Sequence, residues 1–224
     1  MNGYTTVVFD LDGTLLNTIE DLHLALNHSL GSLGLPPRTL EEATAFVGNG
    51  IHKLVERGVP TGTDAGTVED VFDEFNRYYA EHCNDNTQPY PGIIELVREL
   101  RGEGRRVAVV SNKSDYAVQD LMKIYFPGEF DAVLGVREGI RKKPARDMVD
   151  AAMAEMGAGA QADAAAGRVA YVGDSEVDVQ TAASAEMPCV SVSWGFRSVS
   201  QLEEAGATTI CATPAELGRV LRGE

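Results

Sequence analysis

The spacing of apolar residues changes at two points along this chain. Residues 4–10, with the apolar run Val7–Phe9, predict a buried parallel strand. From Asn17 to about residue 86, apolar residues recur every three or four positions, which predicts helices throughout. After the turn residues Pro89–Gly92, short apolar runs alternate with helical patterns. The pattern therefore predicts an α/β core interrupted by an all-helical segment.

The part of the chain after residue 92 carries the rest of the predicted core. Its alternating strands and helices predict a Rossmann-like parallel sheet with helices on both faces. The Ala/Gly-rich stretch Ala151–Gly167 is interpreted as a helix end followed by a surface loop. We predict a core of residues 1–16 and 87–224 and a helical domain of residues 17–86. The predicted later strands are Val107–Val110, Ala132–Leu134, Val169–Val172, Cys189–Val192 and Thr208–Cys211.

Two pairs of polar residues mark predicted helix starts in the helical segment. Thr18 is followed by Asp21, and Thr39 is followed by Glu42. A hydroxyl residue with an acid three positions later can satisfy the free backbone N–H groups of a first helical turn. A glycine-rich break at Val47–Gly50 predicts a boundary between the later helices.

Polar residues follow three of the predicted strands. Asp10 and Asp12 follow the first strand, Ser111–Lys113 the second, and Gly173–Asp178 a later one. In an open parallel sheet, ligands bind outside the carboxyl ends of the strands. Lys143 precedes a predicted helix between these segments. The sequence therefore predicts one polar site at this edge of the sheet.

The overall composition limits the classes of partner. The chain has 224 residues, with 19 Lys and Arg against 34 Asp and Glu, so its formal charge is −15. This balance argues against nucleic acid and anionic membranes as partners. Its three cysteines are far apart, which favours neither a disulfide framework nor structural zinc, and no signal peptide or membrane-spanning run is predicted. We expect a cytoplasmic protein.

The candidate residues suit phosphoryl transfer. A carboxylate fixed at a strand end, Asp10, can attack phosphorus and form an aspartyl-phosphate. Asp12 can donate a proton to the leaving alcohol and later accept one from water. Thr14 and Ser111 can hydrogen-bond the phosphoryl oxygens, and Lys143 can neutralise the charge that develops there.

The charge of these residues predicts a divalent cation. Four aspartates carry −4 when ionised and Lys143 carries +1, so a phosphate dianion would be repelled without further positive charge. Asp174 would complete an all-oxygen site of the kind that Mg²⁺ prefers. We therefore expect Mg²⁺ to be required for catalysis. The four aspartates are Asp10, Asp12, Asp174 and Asp178.

Each candidate also has an ordinary structural interpretation. Ser111 is typical of an N-cap for a helix beginning near Asp115, and Lys143 beside two other cationic residues is typical of a surface charge. Asp174 and Asp178 are typical of a first helical turn, where the helix dipole favours acids. A shared functional site is favoured because separate segments supply complementary groups in order at the strand ends.

The motifs together resemble the haloacid dehalogenase superfamily of phosphatases. They are Phe9–Leu15 (FDLDGTL), Ser111–Lys113 (SNK), Lys143–Pro144 and Gly173–Asp178 (GDSEVD). The resemblance implies a Rossmann-like core and a helical cap that corresponds to residues 17–86. It also implies a small phosphorylated metabolite as the partner.

The resemblance assigns roles to individual residues. Asp10 corresponds to the nucleophile and Asp12 to the acid/base. Mg²⁺ is implied at Asp10, the backbone carbonyl of Asp12, and Asp174. The implied phosphate ligands are Thr14, Ser111, Asn112 and Lys143, and the implied supporting residues are Ser175 and Asp178.

Details of the motifs narrow the expected subclass. The second acid, Asp12, favours phosphate chemistry over dehalogenation. Val47–Gly50 and Pro89–Gly92 resemble the phosphoglycolate phosphatases, which makes 2-phosphoglycolate the first expected substrate. Relatives often have KPxP where this chain has Lys143–Arg146 (KPAR), so Lys142 remains an alternative phosphate ligand.

Substrate-reading residues are harder to assign. Gly48, Asn49 and Gly50 could offer backbone N–H groups to a small anion, or form a plain turn between helices. Arg197 could contact substrate, whereas the neighbouring Trp194 is interpreted as a packing residue. A monomer or homodimer is expected.

Three alternatives stay open at this point. A sugar phosphomutase of the same superfamily would pass the phosphoryl group to a sugar hydroxyl rather than to water. A pyrophosphatase or broad-specificity phosphatase would share the catalytic motifs. A phosphate-responsive binding module would use similar residues without turnover.

Overall fold

The computed structural model describes residues 3–224, which divide into two compact units. One unit is Asn17–Gln88, and the other combines the described part of Met1–Leu16 with Pro89–Glu224. The units thus divide at 88/89, two residues beyond the predicted division between residues 86 and 87. We call them the helical unit and the core unit.

The core unit contains a six-stranded parallel sheet in the order β5-β4-β1-β6-β7-β8. The predicted Rossmann-like parallel sheet is therefore confirmed. A separate two-stranded sheet pairs β2 with β3, where the chain passes between the two units. The strands are β1 Thr6–Phe9, β2 Leu16–Asn17, β3 Gln88–Pro89, β4 Arg106–Ser114, β5 Ala132–Val136, β6 Val169–Gly173, β7 Cys189–Val192 and β8 Ile210–Cys211.

Helices account for most of the remaining chain. The helical unit contains α1 Ile19–Ser32, α2 Leu40–Phe46, α3 Ile51–Gly58 and α4 Ala65–His82. The core unit contains α5 Ile93–Gly102, α6 Asp115–Tyr125, α7 Asp147–Glu155, α8 Ala158–Ala165, α9 Glu176–Ser184, α10 Val199–Glu204 and α11 Pro214–Arg222. No helix within residues 3–224 has the length and apolar character needed to cross a bilayer.

The side chains of β1 point alternately to the two faces of the sheet, and they are buried on both faces. Val7 and Phe9 pack in one hydrophobic cluster with residues of α5, α6 and α11. Val8 belongs to a second cluster, which contains residues of α7, α8 and α9. Successive strand residues point to opposite faces, so a run of apolar residues fits a strand that is covered on both sides. Both clusters hold β1 rigidly in the middle of the sheet.

Two sequence-based predictions about helices need correction, and a third is confirmed. The hydroxyl of Thr18 does not cap α1; Asp21 instead binds Asn86 and Thr87. Ala151–Glu155 ends α7, as predicted, but the predicted loop contains α8 Ala158–Ala165, because alanine favours helix even where apolar spacing is weak. The predicted Thr39–Glu42 capping box is confirmed, with both of its hydrogen bonds present.

Candidate active site

Asp10 lies at the carboxyl end of β1, beside the ends of β4 and β6. Its backbone N–H donates to Val172 O at 2.8 Å, which continues the pairing with β6 for one residue beyond the strand. The Leu11 N–H donates to Asp10 Oδ1 at 2.7 Å. The carboxylate is thus attached directly to the most buried strand and is fixed by the backbone that follows it.

Lys143 connects two buried carboxylates. Its Nζ lies 2.7 Å from Asp10 Oδ1 and 2.8 Å from Asp178 Oδ1, and it donates to the Tyr171 hydroxyl at 3.0 Å. Lys142 is exposed, so the structure brings Lys143 rather than its neighbour into the predicted site. The surface interpretation of Lys143 does not fit this buried position.

The charges of this cluster strongly affect one another. Burial raises the pKa of Asp10 well above its usual range, Asp178 raises it further, and Lys143 opposes both effects. Burial would lower the pKa of Lys143, but Asp10 and Asp178 together raise that pKa well above its usual value. The two acids therefore favour the charged form of Lys143.

Asp174 occupies a narrow space between two backbone segments. Its Oδ2 accepts a 2.7 Å hydrogen bond from the Phe196 N–H, and its Oδ1 accepts from the Thr14 hydroxyl at 3.3 Å. A Cβ placed on Gly13 would lie 2.3 Å from Asp174 Oδ2, and one on Gly195 would lie 2.4 Å from the same oxygen. Burial, followed by the charge of Asp178, raises the pKa of Asp174 to about 7.

Asp178 supports the site from the first turn of α9. Ser175 donates to Asp178 Oδ2 through its backbone N–H at 3.1 Å and its hydroxyl at 2.6 Å. The other oxygen, Oδ1, accepts from Lys143 and from Tyr171 at 3.2 Å. Both oxygens of Asp178 are therefore occupied in orienting neighbours, which agrees with a supporting position.

Asp12 has its own buried lysine. Lys113 Nζ lies 2.8 Å from Asp12 Oδ1, and the Ser111 hydroxyl lies 3.4 Å from Asp12 Oδ2. The Lys113 side chain is only 2% exposed. Lys113 is part of the SNK motif but had no predicted role. Its position three residues after the apolar run Val107–Val110 was the available signal.

Strand β4 is longer than predicted and changes the role of its polar end. It continues to Ser114, so Ser111 lies within the strand and does not cap α6. The Ser111 hydroxyl accepts from the Lys113 N–H at 3.2 Å. Asn112 donates through Nδ2 to Lys143 O at 3.1 Å, and this contact fixes the lysine-bearing loop against β4.

The loop after β7 closes the side of the site next to Asp174. Trp194 Nε1 donates to Thr14 O at 3.0 Å, and buried Arg197 forms a 2.8 Å ion pair with Glu176. These contacts were not predicted, because they join loops that are distant in sequence. Arg197 is thus positioned within the core unit by an acid at the start of α9.

The predicted glycine-rich segment lies in the helical unit. Gly48 and Gly50 have φ values of +112° and +88°, which favour glycine. Asn49 Oδ1 accepts from Arg57 at 2.7 Å, and Gly50 directly precedes α3. This geometry forms a tight connection between α2 and α3.

The donor set of the core unit fits a hard divalent cation. One carboxylate oxygen from each of Asp10, Asp174 and Asp178 lies within 4.8 Å of the others. All three groups are buried, and an oxygen-only set of carboxylates suits Mg²⁺. Each oxygen of Asp178 accepts two hydrogen bonds, whereas each Asp174 oxygen accepts one and both contacts of Asp10 fall on Oδ1. Asp10 and Asp174 are therefore the better candidate donors.

The chain belongs to the haloacid dehalogenase-like hydrolase family, which matches residues 7–192. Within that family it is a phosphatase, that is, an enzyme of the phosphoric monoester hydrolase class. The fold and the phosphatase class predicted from the sequence are therefore confirmed.

Curated relatives and solved structures agree with this class. A phosphoglycolate phosphatase of Cereibacter sphaeroides is 35% identical over 195 residues, covering 85% of this chain and 86% of that protein. One of Pseudomonas putida is 35% identical, covering 85% of this chain and 70% of its own length. The crystal structure of a candidate phosphoglycolate phosphatase from Lactobacillus delbrueckii subsp. bulgaricus is 37% identical, with a TM-score of 0.87 and coverage of 99% and 100%.

Proposed function

We propose that this protein hydrolyses a small phosphomonoester with Mg²⁺, through an aspartyl-phosphate on Asp10, and that 2-phosphoglycolate is its first substrate. The observation that carries the proposal is the contact of Lys143 with both Asp10 and Asp178 at the carboxyl end of β1. It gives a fixed carboxylate nucleophile next to a buried cation, which is the arrangement that phosphoryl transfer needs.

In the first step, Asp10 attacks the phosphorus atom. Both contacts to its carboxylate are made at Oδ1, from Leu11 N–H and from Lys143, so we assign Oδ2 as the attacking atom. The Oδ2–P bond forms as the ester P–O bond breaks. Asp12 donates its proton to the leaving alcohol oxygen, and the alcohol departs neutral at that oxygen.

In the second step, water cleaves the aspartyl-phosphate. The water oxygen bonds to phosphorus as the P–O bond to Asp10 breaks, and Asp12, now ionised, accepts a proton from that water. Inorganic phosphate leaves, and Asp10 regains its carboxylate while Asp12 regains its proton. Lys143 retains its proton throughout and stays beside the carboxylate that alternately gains and loses phosphate.

The cation in this proposal would be held by the carboxylates of Asp10 and Asp174 and by the backbone carbonyl of Asp12. When bound, Mg²⁺ neutralises charge on the phosphoryl oxygens. With Asp12 protonated for the first step, the other three site aspartates contribute −3, Lys113 and Lys143 contribute +2, and Mg²⁺ contributes +2. The resulting sum of +1 attracts a phosphate dianion.

The substrate and setting are proposed from the relatives. The two curated relatives described above are named phosphoglycolate phosphatases, and both align with 85% of this chain. The helical unit is proposed to be the cap of the family and to supply further substrate-reading groups. A cytoplasmic location is proposed because the substrate is a small phosphorylated metabolite.

The test is a panel of small phosphomonoesters assayed with Mg²⁺ and with EDTA. We expect 2-phosphoglycolate to have the highest kcat/KM, with turnover only when Mg²⁺ is present. Asp10→Asn should lower kcat by about 1,000-fold or more, because it removes the nucleophile. Asp120→Asn, an exposed acid on α6, is the matched control and should retain wild-type turnover.

Each part of the proposal has a result that would overturn it. Full turnover by a folded Asp10→Asn variant would exclude the covalent mechanism. Undiminished turnover in EDTA would exclude the metal requirement. Conversion of one sugar phosphate into another without phosphate release would show a phosphomutase instead.

A further inference from the structure

The aspartates of the Asp10–Asp12 segment each contact a different buried lysine. Lys143 Nζ lies 2.7 Å from Asp10 Oδ1, and Lys113 Nζ lies 2.8 Å from Asp12 Oδ1. Each lysine side chain is 2% exposed. A buried ammonium group is expensive to desolvate unless a specific anion compensates it. Asp10 and Asp12 supply that anion here, but Asp12 carries no negative charge whenever it holds the proton that the proposed first step requires.

The two lysines lie on chemically different sides of the proposed reaction. Asp10 bonds to phosphorus, so Lys143 lies at the phosphoryl side. A general acid must come within about 2.6–3.2 Å of the oxygen that it protonates. Asp12 therefore marks the position of the leaving oxygen, and Lys113 lies beside that position rather than beside the phosphoryl group.

We propose that Lys113 recognises a negative charge on the leaving alcohol, so that the enzyme prefers phosphomonoesters whose leaving group carries a carboxylate close to the ester oxygen. This inference rests on the proposed function and assigns part of the substrate specificity to the core unit. In 2-phosphoglycolate, one methylene separates the ester oxygen from the carboxylate, so the two negative groups of the substrate match the two lysines.

The position of Lys113 is fixed well enough to discriminate between substrates. It lies in the last part of β4, beyond the residues that pair with β1 and within the irregular register between Val110 and Ser114 in the pairing with β5. Its N–H donates to the Ser111 hydroxyl within the same strand end. Its ammonium group is buried and held at 2.8 Å by Asp12, so it has little freedom to move away from a neutral leaving group. A neutral alcohol such as a sugar would therefore gain nothing from Lys113, whereas a carboxylate would gain a charge-assisted contact.

The experiment compares two substrates on the same enzyme preparation. 2-Phosphoglycolate is compared with 2-hydroxyethyl phosphate, which replaces the carboxylate by a neutral hydroxymethyl group. We expect wild type to favour the acidic substrate by about 100-fold in kcat/KM. Lys113→Met should reduce this ratio by about tenfold or more, and Lys113→Arg, which retains the charge, should reduce it less. Lys123→Met, an exposed lysine on α6, is the matched control and should leave the ratio unchanged.

The ratio of kcat/KM for the two substrates reports specificity and not stability. Both values come from one preparation, so the fraction of folded enzyme cancels from their ratio. An unchanged ratio in Lys113→Met would overturn the inference, even if both activities fell, since Lys113 would then serve only to orient Asp12. A wild type that hydrolyses neither substrate would instead overturn the proposed function. A wild type that prefers 2-hydroxyethyl phosphate would confirm phosphatase activity and overturn the role of Lys113.

Discussion

At the scale of single residues, the site holds buried acids close enough together to repel one another electrostatically. Asp10, Asp174 and Asp178 present oxygens within 4.8 Å of one another. Burial and mutual repulsion raise the pKa values of Asp10 and Asp174. The folded protein alone therefore binds protons that the unfolded chain would release, and this difference links its stability to pH.

The effect of pH can be tested with Asp174. Its pKa is about 7 in the folded protein and 3.8 in the unfolded chain, so the folded form holds more protons between these values. In EDTA, stability should consequently fall as pH rises from about 4 to 7. Asp174→Asn should flatten this dependence and raise Tm at pH 8 by on the order of 5 °C.

The same variant tests the cation. Mg²⁺ should raise the Tm of wild type, more at pH 8 than at pH 5, because protons compete for the acids at lower pH. It should have little effect on Asp174→Asn. Thermal unfolding followed by circular dichroism, with and without Mg²⁺, measures both effects. Equal Mg²⁺ stabilisation of variant and wild type would exclude Asp174 as a donor.

The site residues that could be predicted lie next to the ends of elements that the sequence predicts. Asp10 and Asp174 follow strands, and Lys143 precedes a helix. Because the carboxyl ends of parallel strands lie at one edge of the sheet, residues at these ends are expected to come together. Lys113 was missed because its chemistry depends on burial, and burial depends on how far β4 extends. Spacing alone cannot distinguish a buried lysine in a strand from an exposed one in a loop.

At the scale of elements, hydrogen bonds join three loops into one surface beside Asp174, which we call the wall of the site. The loop after β1 contacts the loop after β7 through Thr14 and Trp194. The loop after β6 also contacts the loop after β7, through Asp174 and the Phe196 N–H. Because one partner in each contact is a backbone group, the sequence gives no residue-type signal for that partner. They set the orientation of Asp174 through main-chain geometry.

Gly195 tests this wall directly. A methyl group there would meet Gly13 O at 2.3 Å and the Asp174 Cβ at 2.4 Å, so one of the loops must move. Gly195→Ala should lower kcat/KM by about 100-fold, because displacements of about 1 Å in a site have effects of that size. Gly102→Ala is the control, since nothing lies within 4 Å of its added carbon.

The effect of Gly195→Ala is measured both as kcat/KM and as thermal unfolding with and without Mg²⁺. Gly195→Ala is expected to unfold cooperatively, as wild type does, while losing much of its Mg²⁺ stabilisation. Wild-type kcat/KM in Gly195→Ala would show that the loop after β7 adapts without disturbing Asp174.

At the scale of the whole molecule, the chain forms a helical unit inserted into a core unit. Asp21 in α1 is buried and fixes the end of that insertion. It accepts hydrogen bonds from Asn86 N–H and Nδ2 at 2.9 Å each, and from the Thr87 N–H and hydroxyl at 2.8 and 2.7 Å. The insertion was predictable from its helical periodicity, but this contact over 66 residues was not.

Asp21→Asn should loosen the helical unit. An amide has one acceptor oxygen and no charge, so several of these donors would lose a partner in a buried place. We expect the free energy of unfolding of the helical unit to fall by about 3 kcal/mol. Urea unfolding combined with limited proteolysis near residues 83–88 measures the change.

Glu20→Gln is the control for this variant. Glu20 is the exposed neighbour of Asp21 in the same helix, and the substitution removes the same charge. Equal urea midpoints and cleavage rates for the two variants would show that the Asp21 contacts contribute nothing specific.

The paired strands β2 and β3 have a consequence for how such proteins diversify. The chain enters and leaves the helical unit through neighbouring strands, so the whole insertion starts and finishes at one place in the core. A gene segment encoding residues 17–88 could therefore be exchanged between related proteins as a cassette, without changing the path of the flanking chain. Recombination at these two points would give new recognition surfaces to an unchanged reaction centre.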